Sequence, residues 1–262
     1  MELAAAVGCT SVALTDHDGL EGVGPARTRA GELGIGFVPG CEVSVTFAPG
    51  TMHVLCYFVE PTDGPLQSEL ARLRSDRSSR NQRLVQRLRE LGLPLTLDEV
   101  EAAAGGSVIG RPHFAAVLVR NGAATSVQDA FDRLLGKGTP GYISKARIDA
   151  ATAIGAARGS GAVSVLAHPL SLGLGSSELD RAVEELATAG LGGLECYYGR
   201  YSPEEREGLA AMAKRHDLVA TGGSDFHGTF KPDLSVGVGT GDLDVPDVAV
   251  RELLARKPPA ER

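Results

Sequence analysis

Short apolar segments alternate with helical patterns along most of the 262-residue chain. The apolar segments are rich in β-branched or aliphatic residues and are bounded by glycine or polar turns, which is typical of strands. Between the later segments, the pattern predicts helices over 177–189 and 203–215, the second opening with a capping box of Ser202 and Glu205. Strands that alternate with helices predict an α/β fold, with a mostly parallel sheet or barrel wrapped by helices. The predicted strands are 11–15, 36–39, 43–47, 53–59, 162–167, 193–197 and 218–221.

The stretch from 65 to 158 has a different pattern. Leucines spaced three or four residues apart predict an amphipathic helix over 66–91, and further helical patterns follow it. We therefore predict two domains, an α/β domain made of 1–64 and 159–262 and a helical insertion over 65–158. The shorter helices of the insertion are expected over 97–104, 112–119 and 127–135.

Composition narrows the class of protein further. The chain carries 26 Lys and Arg against 33 Asp and Glu, a net charge of −7, and 43% of its residues are hydrophobic. An acidic balance argues against binding long duplex nucleic acid by charge, although a local basic pocket still allows a small phosphorylated ligand. The apolar runs are too short to span a bilayer, so we expect a soluble protein. No basic segment precedes the apolar residues at the N-terminus, so we expect no signal peptide and a cytoplasmic location. The widely spaced cysteines, without a CxxC pair, are expected to be reduced and buried: Cys9, Cys41, Cys56 and Cys196.

Six histidine and carboxylate side chains lie at or close to the ends of predicted strands. The carboxyl ends of parallel strands share one edge of a sheet, and active sites collect there. We therefore expect these side chains to meet in one place. They are His17, Glu42, His53, His168, Asp225 and His227.

The chemistry of these side chains favours metal binding. Neutral imidazoles and carboxylates are the usual ligands of Zn²⁺, Mn²⁺ and Fe²⁺, and a pair of such cations binds phosphate and activates water, as in phosphoesterases. Any one of these histidines alone is more often an ordinary loop residue, but four of the six in the chain repeat one position. His216 instead fits a helix C-terminal cap. Asp16 and Asp18 flank His17 and are expected to orient the loop, with Asp18 alternatively starting the turn into Gly19.

An ordered set of short motifs resembles the PHP (polymerase and histidinol phosphatase) family of metal-dependent phosphoesterases. The insertion, through its GRPH motif at 110–113, resembles the branch that hydrolyses nucleoside 3′,5′-bisphosphates and, in some members, trims short RNA from the 5′ end. The resemblance implies a distorted (β/α)7 barrel with up to three metal ions, usually manganese, zinc or iron, and hydrolysis of a phosphate monoester by metal-activated water. The motifs are TDHD at 15–18, GCE at 40–42, MHVLCYF at 52–58, LAHP at 166–169 and GSDFHG at 223–228.

The resemblance also implies roles for individual residues. Glu42, His53 and His168 resemble the ligands of one metal, and Glu42 bridges to a second metal that Asp225 also binds. His17 and His227 resemble ligands of the third metal. As catalytic residues we expect Asp225 or His227 to handle the proton and Arg111 to neutralise the phosphate.

The GRPH motif begins a predicted helix and predicts a phosphate site. A helix N-terminus beside an arginine and an imidazole attracts anions, so Arg111 and His113 are assigned to substrate binding in a substrate-capping insertion. In the alternative, Arg111 is a solvated cap and His113 packs in the helix. Arg77 and Arg80 are candidates to face a path for a longer nucleic acid, but no interleaved aromatic residues support a stacking platform there.

One family motif does not occur in the sequence. PHP proteins begin with a strand that ends in HxH, and two of the three implied metal sites here keep only two protein ligands each. We expect an upstream coding segment to supply the motif, and the alternative is a variant with fewer metals.

Two functions follow from these observations. The first is a phosphoesterase acting on a nucleotide 3′,5′-bisphosphate, a monophosphate or short 5′-phosphorylated RNA. The alternative is a catalytically impaired PHP-like domain that binds a nucleotide or a protein. The sequence leaves the native metal and the oligomeric state open.

Overall fold

The computed structural model describes residues 1–105 and 108–258. They form two compact units, which we name the sheet unit (Met1–Leu70 with Arg147–Arg262) and the helical unit (Ala71–Ala146). The helical unit thus lies inside the stretch for which an insertion was predicted. The domain boundaries at 65 and 158 stay a prediction.

A curled six-stranded sheet forms a half-barrel within a mixed α/β fold. Neighbouring strands follow chain order, and β1 and β6 are the two ends of the sheet in the described part of the chain. A seven-stranded barrel is therefore not confirmed. The strands are β1 (Ser11–His17), β2 (Gly36–Val45), β3 (Met52–Tyr57), β4 (Val163–Leu166), β5 (Gly193–Tyr198) and β6 (Val219–Gly223).

The strand β2 replaces two predicted strands. The sequence suggested a break at Gly40, but this residue pairs with Thr15 of β1 on one side and with Tyr57 of β3 on the other. The glycine is required by close packing, because a Cβ atom there would lie 2.7 Å from the carbonyl oxygen of Cys56. The ladder therefore runs through Gly40 and carries Glu42 inside a continuous strand.

Strand direction departs from a parallel sheet at β3. The pairs β1–β2, β4–β5 and β5–β6 are parallel, whereas β3 is antiparallel to both β2 and β4. Val45 at the end of β2 consequently faces Met52 at the start of β3. The first residues of β3 thus lie at the edge where its neighbours end.

The helices that the sequence predicted occur within one or two residues of their expected bounds, but the helices over 23–33, 150–159 and 248–255 were not predicted. One prediction was incomplete, because the segment 127–135 continues as a π-helical turn (Phe131–Leu135) in which the Gly136 amide donates to the Phe131 carbonyl at 2.8 Å. No helix in the described ranges is long and apolar enough to cross a membrane. The helices of those ranges are α1 (Glu2–Ala6), α2 (Val23–Leu33), α3 (Pro65–Glu90), α4 (Leu97–Ala104), α5 (Arg111–Arg120), α6 (Val127–Ala130), α7 (Ala150–Gly159), α8 (Ser176–Thr188), α9 (Pro203–Arg215) and α10 (Val248–Ala255).

Each unit has its own apolar core. In the sheet unit, side chains from β2, β3, β4, β6 and α10 pack together, and Val165 among them is fully buried. In the helical unit, Leu84, Leu88, Phe114 and Leu118 are fully buried or nearly so. All four cysteines are free thiols, as expected, but Cys9 is only half-buried.

The tight packing at Gly40 predicts a large effect of one methyl group. Gly40→Ala is expected to lower the free energy of unfolding by about 2 kcal/mol, because the new Cβ atom meets backbone that no rotamer change relieves. The matched control is Gly31→Ala in α2, where a Cβ atom meets nothing within 4 Å. The control is expected to stabilise the chain by about 0.5–1 kcal/mol. Urea unfolding followed by circular dichroism measures both, and equal effects of the two changes would contradict the packing argument.

Candidate metal centre

Four neighbouring strands bring predicted ligands to one edge of the sheet. His17 is the last residue of β1 and pairs with Glu42 in β2. His53 lies at the start of β3, and His168 comes two residues after the end of β4. The sequence argument relied on carboxyl ends of parallel strands and was wrong for His53, which reaches this edge only because β3 is antiparallel.

The carboxylate of Glu42 is the centre of this cluster. Its Oε1 lies 2.6 Å from Nδ1 of His53 and 3.1 Å from Nε2 of His168. Its Oε2 lies 3.4 Å from Nδ1 of His17. Glu42 is only 6% exposed, so these imidazoles replace most of the water that an ionised carboxylate needs.

Electrostatics keep this buried carboxylate ionised. Burial alone would raise the pKa of Glu42, but the three facing histidines hold that pKa well below its ordinary value. Burial lowers the pKa of His168, but its hydrogen bond to Glu42 and the charges of the neighbouring carboxylates together outweigh burial, so the pKa of His168 is raised. The cluster therefore combines an ionised carboxylate with imidazoles that stabilise its negative charge.

His168 is held in position by two contacts outside the cluster. Its backbone lies in the left-handed region, with φ 28°, and its amide donates to Oε2 of Glu195 at 2.7 Å. Its Nδ1 lies 2.8 Å from the hydroxyl of Ser171, which itself donates to the Thr51 carbonyl. Because a hydroxyl has one hydrogen, Nδ1 of His168 must be the donor to Ser171. In a neutral ring, Nε2 then carries the lone pair that faces Glu42.

Asp225 and His227 form a second pair of predicted ligands after β6. Nδ1 of His227 lies 2.8 Å from the Asp225 carbonyl oxygen and 3.1 Å from its Oδ1. The hydroxyl of Tyr198 donates to Oδ2 of Asp225 at 2.7 Å, and the Tyr198 ring packs against His168. The ring centroids of His17 and His227 are 6.1 Å apart. The structure thus places all six predicted ligands in one site.

Asp18 and Asp16 beside His17 have different surroundings. The carboxylate of Asp18 is buried and accepts hydrogen bonds from the Ser44 amide at 2.8 Å and from the Ser44 hydroxyl at 3.0 Å. This ties the residue after His17 to β2 and supports the expected orienting role. Burial and the charge of Glu21 raise the pKa of Asp16.

The arrangement fits a divalent cation. The candidate ligand atoms of His17, Glu42 and His53 all lie within 4.8 Å of one another. The lone pair on Nε2 of His168 and the Glu42 oxygen are both acceptors, so either a proton or a cation must lie between them. Imidazole nitrogens around a carboxylate are a typical donor set for zinc, manganese or iron. The residues present therefore fit the divalent metal ion that the sequence predicted.

Comparison with curated proteins decides the family. A 3′,5′-nucleoside bisphosphate phosphatase of Chromobacterium violaceum is 32% identical over 238 residues, which are 90% of this chain and 84% of that protein. The chain belongs to the PHP family. It is a metal-dependent phosphoesterase. The 5′-3′ exoribonuclease Rnm of Escherichia coli is also similar, 35% identical over 221 residues, covering 83% of this chain and 75% of that one.

Solved structures agree with this PHP assignment. A protein assigned as a metal-dependent phosphoesterase from Bifidobacterium adolescentis has a TM-score of 0.87 and 33% identity, covering 99% of this chain and 90% of that one. An amidohydrolase of Chromobacterium violaceum, with bound sulfate and no metal, has a TM-score of 0.85 and 32% identity, covering 99% of this chain and 91% of that one. No protein-family model matches the chain.

The two remaining predicted site residues of this PHP protein, Arg111 and His113, belong to the helical unit. Arg111 begins α5, its Nη1 donates to the Leu135 carbonyl at 3.1 Å, and its guanidinium lies 5.1 Å from the ring centre of Tyr142. His113 is buried, and its Nδ1 accepts a hydrogen bond from the Gly110 amide at 2.9 Å. His113 therefore closes the first turn of α5, as in the alternative reading of the motif. Its substrate-binding role stays a prediction.

Sequence reasoning did not find three residues of the centre. Glu195 is buried in β5 and contacts the His168 amide, and burial raises the pKa of Glu195 to about 7. Ser171 fixes the tautomer of His168, and Lys231 contacts Asp225. An acidic residue inside an otherwise apolar strand was a signal for Glu195. No sequence pattern marked Lys231, because only the turn after β6 brings its side chain to Asp225.

The contact between Glu195 and His168 predicts different effects of two substitutions. Glu195→Gln keeps an oxygen that accepts from the His168 amide, so Mn²⁺ affinity is expected to stay within about threefold of the parent protein. Glu195→Leu leaves that amide unpaired and is expected to weaken Mn²⁺ binding by about 10-fold or more, since partners of metal ligands have effects of that size. Isothermal titration with Mn²⁺ measures both. Equal affinities of the two variants would show that Glu195 does not position His168.

Proposed function

We propose that the protein hydrolyses a phosphate monoester of a nucleotide: a 3′,5′-bisphosphate, a monophosphate or short 5′-phosphorylated RNA. The observation that carries the proposal is the buried Glu42 carboxylate with three histidines facing it, in a chain of the PHP family. Relatives named as a nucleoside bisphosphate phosphatase and an exoribonuclease support this class of substrate. A closed (β/α)7 barrel in a cytoplasmic enzyme belongs to the same proposal.

Divalent cations, manganese or alternatively zinc or iron and up to three in number, would activate water and neutralise phosphate oxygens when bound. Glu42, His53 and His168 would hold one of them. His17, Asp225 and His227 complete the proposed ligand set. Glu42 and Asp225 would hold a second cation, and His17 and His227 would hold a third. Burial would raise the pKa of Asp225, but His227 and Lys231 hold it well below its usual range. Asp225 is therefore ionised at neutral pH, which suits a metal ligand but makes it a weak base. Its contact with Asp225 raises the pKa of His227, so His227 is better suited to the proposed proton transfer.

The helical unit supplies the proposed phosphate contacts. Arg80 is 1% exposed, and its Nε and Nη1 atoms have no hydrogen-bond partner within 1–105 and 108–258. Burial, together with the neighbouring charges of Arg77 and Arg111, lowers the pKa of Arg80 to about 10. The side chain is still a cation at neutral pH. A buried cation among other cations is unfavourable without an anion, so we place a phosphate group of the substrate beside Arg80 and Arg111.

His113 fits the same phosphate contact. Its Nδ1 accepts from the Gly110 amide, and burial lowers the pKa of His113, so its neutral form carries the proton on Nε2. That nitrogen is then a hydrogen-bond donor without a full charge. Arg80 and Arg111 supply the charge, and the N-terminus of α5 adds a favourable dipole.

The first test is release of phosphate. With Mn²⁺ supplied, the purified protein is expected to liberate inorganic phosphate from a nucleoside 3′,5′-bisphosphate. His53→Ala or His168→Ala is expected to lower kcat/KM by about 100-fold or more, since each change removes a proposed metal ligand. The control is His216→Ala, because His216 caps α9 and contacts Asp180. Activity of the control should be unchanged.

A protein that released no phosphate from bisphosphates, monophosphates or short 5′-phosphorylated RNA would refute this proposal. The metal content then distinguishes the remaining possibilities. Two or three ions per chain after reconstitution support an enzyme, whereas one ion or none supports the alternative of a catalytically impaired binding domain.

The second test separates the phosphate contact from stability. Arg80→Met is expected to raise KM by about 10-fold or more, because a charged hydrogen bond to phosphate is lost. The melting temperature should not fall, since methionine fills a similar volume without a buried charge. Arg83→Met on the exposed face of α3 is the matched control and should leave KM unchanged. A lower melting temperature with unchanged KM would assign Arg80 a structural role only.

A further inference from the structure

The carboxylate of Asp225 has three side-chain partners in the described part of the chain. Tyr198 donates to Oδ2 at 2.7 Å, and the ammonium group of Lys231 contacts the same oxygen. His227 Nδ1 lies 3.1 Å from Oδ1. Lys231 follows a short 3₁₀ turn (Gly228–Phe230) after β6 and has no role in the proposed hydrolysis.

The two contacts to Oδ2 use up the lone pairs of that oxygen. A carboxylate oxygen accepts about two hydrogen bonds, so a metal ion that binds Oδ2 must displace Tyr198 or Lys231. Tyr198 is only 8% exposed, and its ring packs against His168 and Tyr201 with centroids 5.7 Å and 4.8 Å away. The Lys231 side chain is 27% exposed and ends a flexible stem. Lys231 is therefore the partner that moves.

The charges around Lys231 favour its contact with Asp225. The nearby carboxylate of Asp233 already forms a two-pronged ion pair with Arg200, with both N···O distances at 2.8 Å. Glu42 adds negative charge near Asp225. The ammonium group thus neutralises the same carboxylate that the proposed function assigns to a metal.

We propose that Lys231 is an internal cation that competes with a divalent metal ion for the Asp225 carboxylate and so sets the affinity of that metal position. The inference rests on the proposed function, which makes Asp225 a metal ligand. A monovalent ammonium and a divalent ion that share one oxygen repel each other strongly at this short distance. Occupation of the Asp225 position thus requires either displacement of Lys231 or a higher metal concentration.

The test is direct titration of the metal-depleted protein with Mn²⁺, in which electron paramagnetic resonance measures the free ion. Lys231→Met is expected to tighten binding at the Asp225 position by about 10-fold or more, a change of about 1.4 kcal/mol per factor of ten. Lys231→Gln removes the charge and keeps a polar group, so it should behave in the same way. Lys231→Arg keeps the charge and should bind Mn²⁺ as the parent protein does.

Two controls separate the contact from general electrostatics and from the proposed function. Lys214→Met removes the same charge from an exposed site on α9 and should leave Mn²⁺ binding unchanged. Asp225→Asn should weaken binding and abolish the effect of Lys231→Met. Equal or weaker Mn²⁺ binding by Lys231→Met and Lys231→Gln, with Asp225→Asn still weakening it, would overturn the inference alone. Unchanged binding by Asp225→Asn would overturn both the inference and the ligand role of Asp225.

Discussion

The buried carboxylate of Glu42 is the constraint on which the site depends. An ionised carboxylate removed from water is costly unless neighbouring groups replace the lost hydrogen bonds and charge. His17, His53 and His168 do so from three other positions on the sheet edge. The registers of β1, β2, β3 and β4 must therefore all be correct at once, because a slip by one residue would turn Glu42 to the opposite face.

The sheet achieves this register through local packing that is unusual for a strand. Because Gly40 has no side chain, β2 lies close to both β1 and β3 at this position. Glu42 is thereby placed beside His17. The antiparallel direction of β3 then brings His53 to the same edge. At His168 the backbone is left-handed, and the buried Glu195 carboxylate holds it there by accepting a hydrogen bond from the His168 amide.

The two units carry opposite kinds of charge at their candidate sites. The sheet unit presents carboxylates and imidazoles suited to cations, and one of those carboxylates is already neutralised by Lys231. The helical unit buries Arg80 close to Arg77 and Arg111, an arrangement suited to anions. The net charge of −7 conceals this division, because a total charge says nothing about where each sign is placed.

The sequence by itself determined the class of fold, most of the helix positions and the six histidine and carboxylate residues, because periodicity, capping residues and strand-end motifs are local. It did not determine that 36–45 is one strand or that β3 is antiparallel, since pairing depends on residues far apart in the chain. Only the tertiary structure showed that Glu195, Ser171 and Lys231 contact the centre. Their partners lie on other elements, and such contacts leave no periodic signal in the chain.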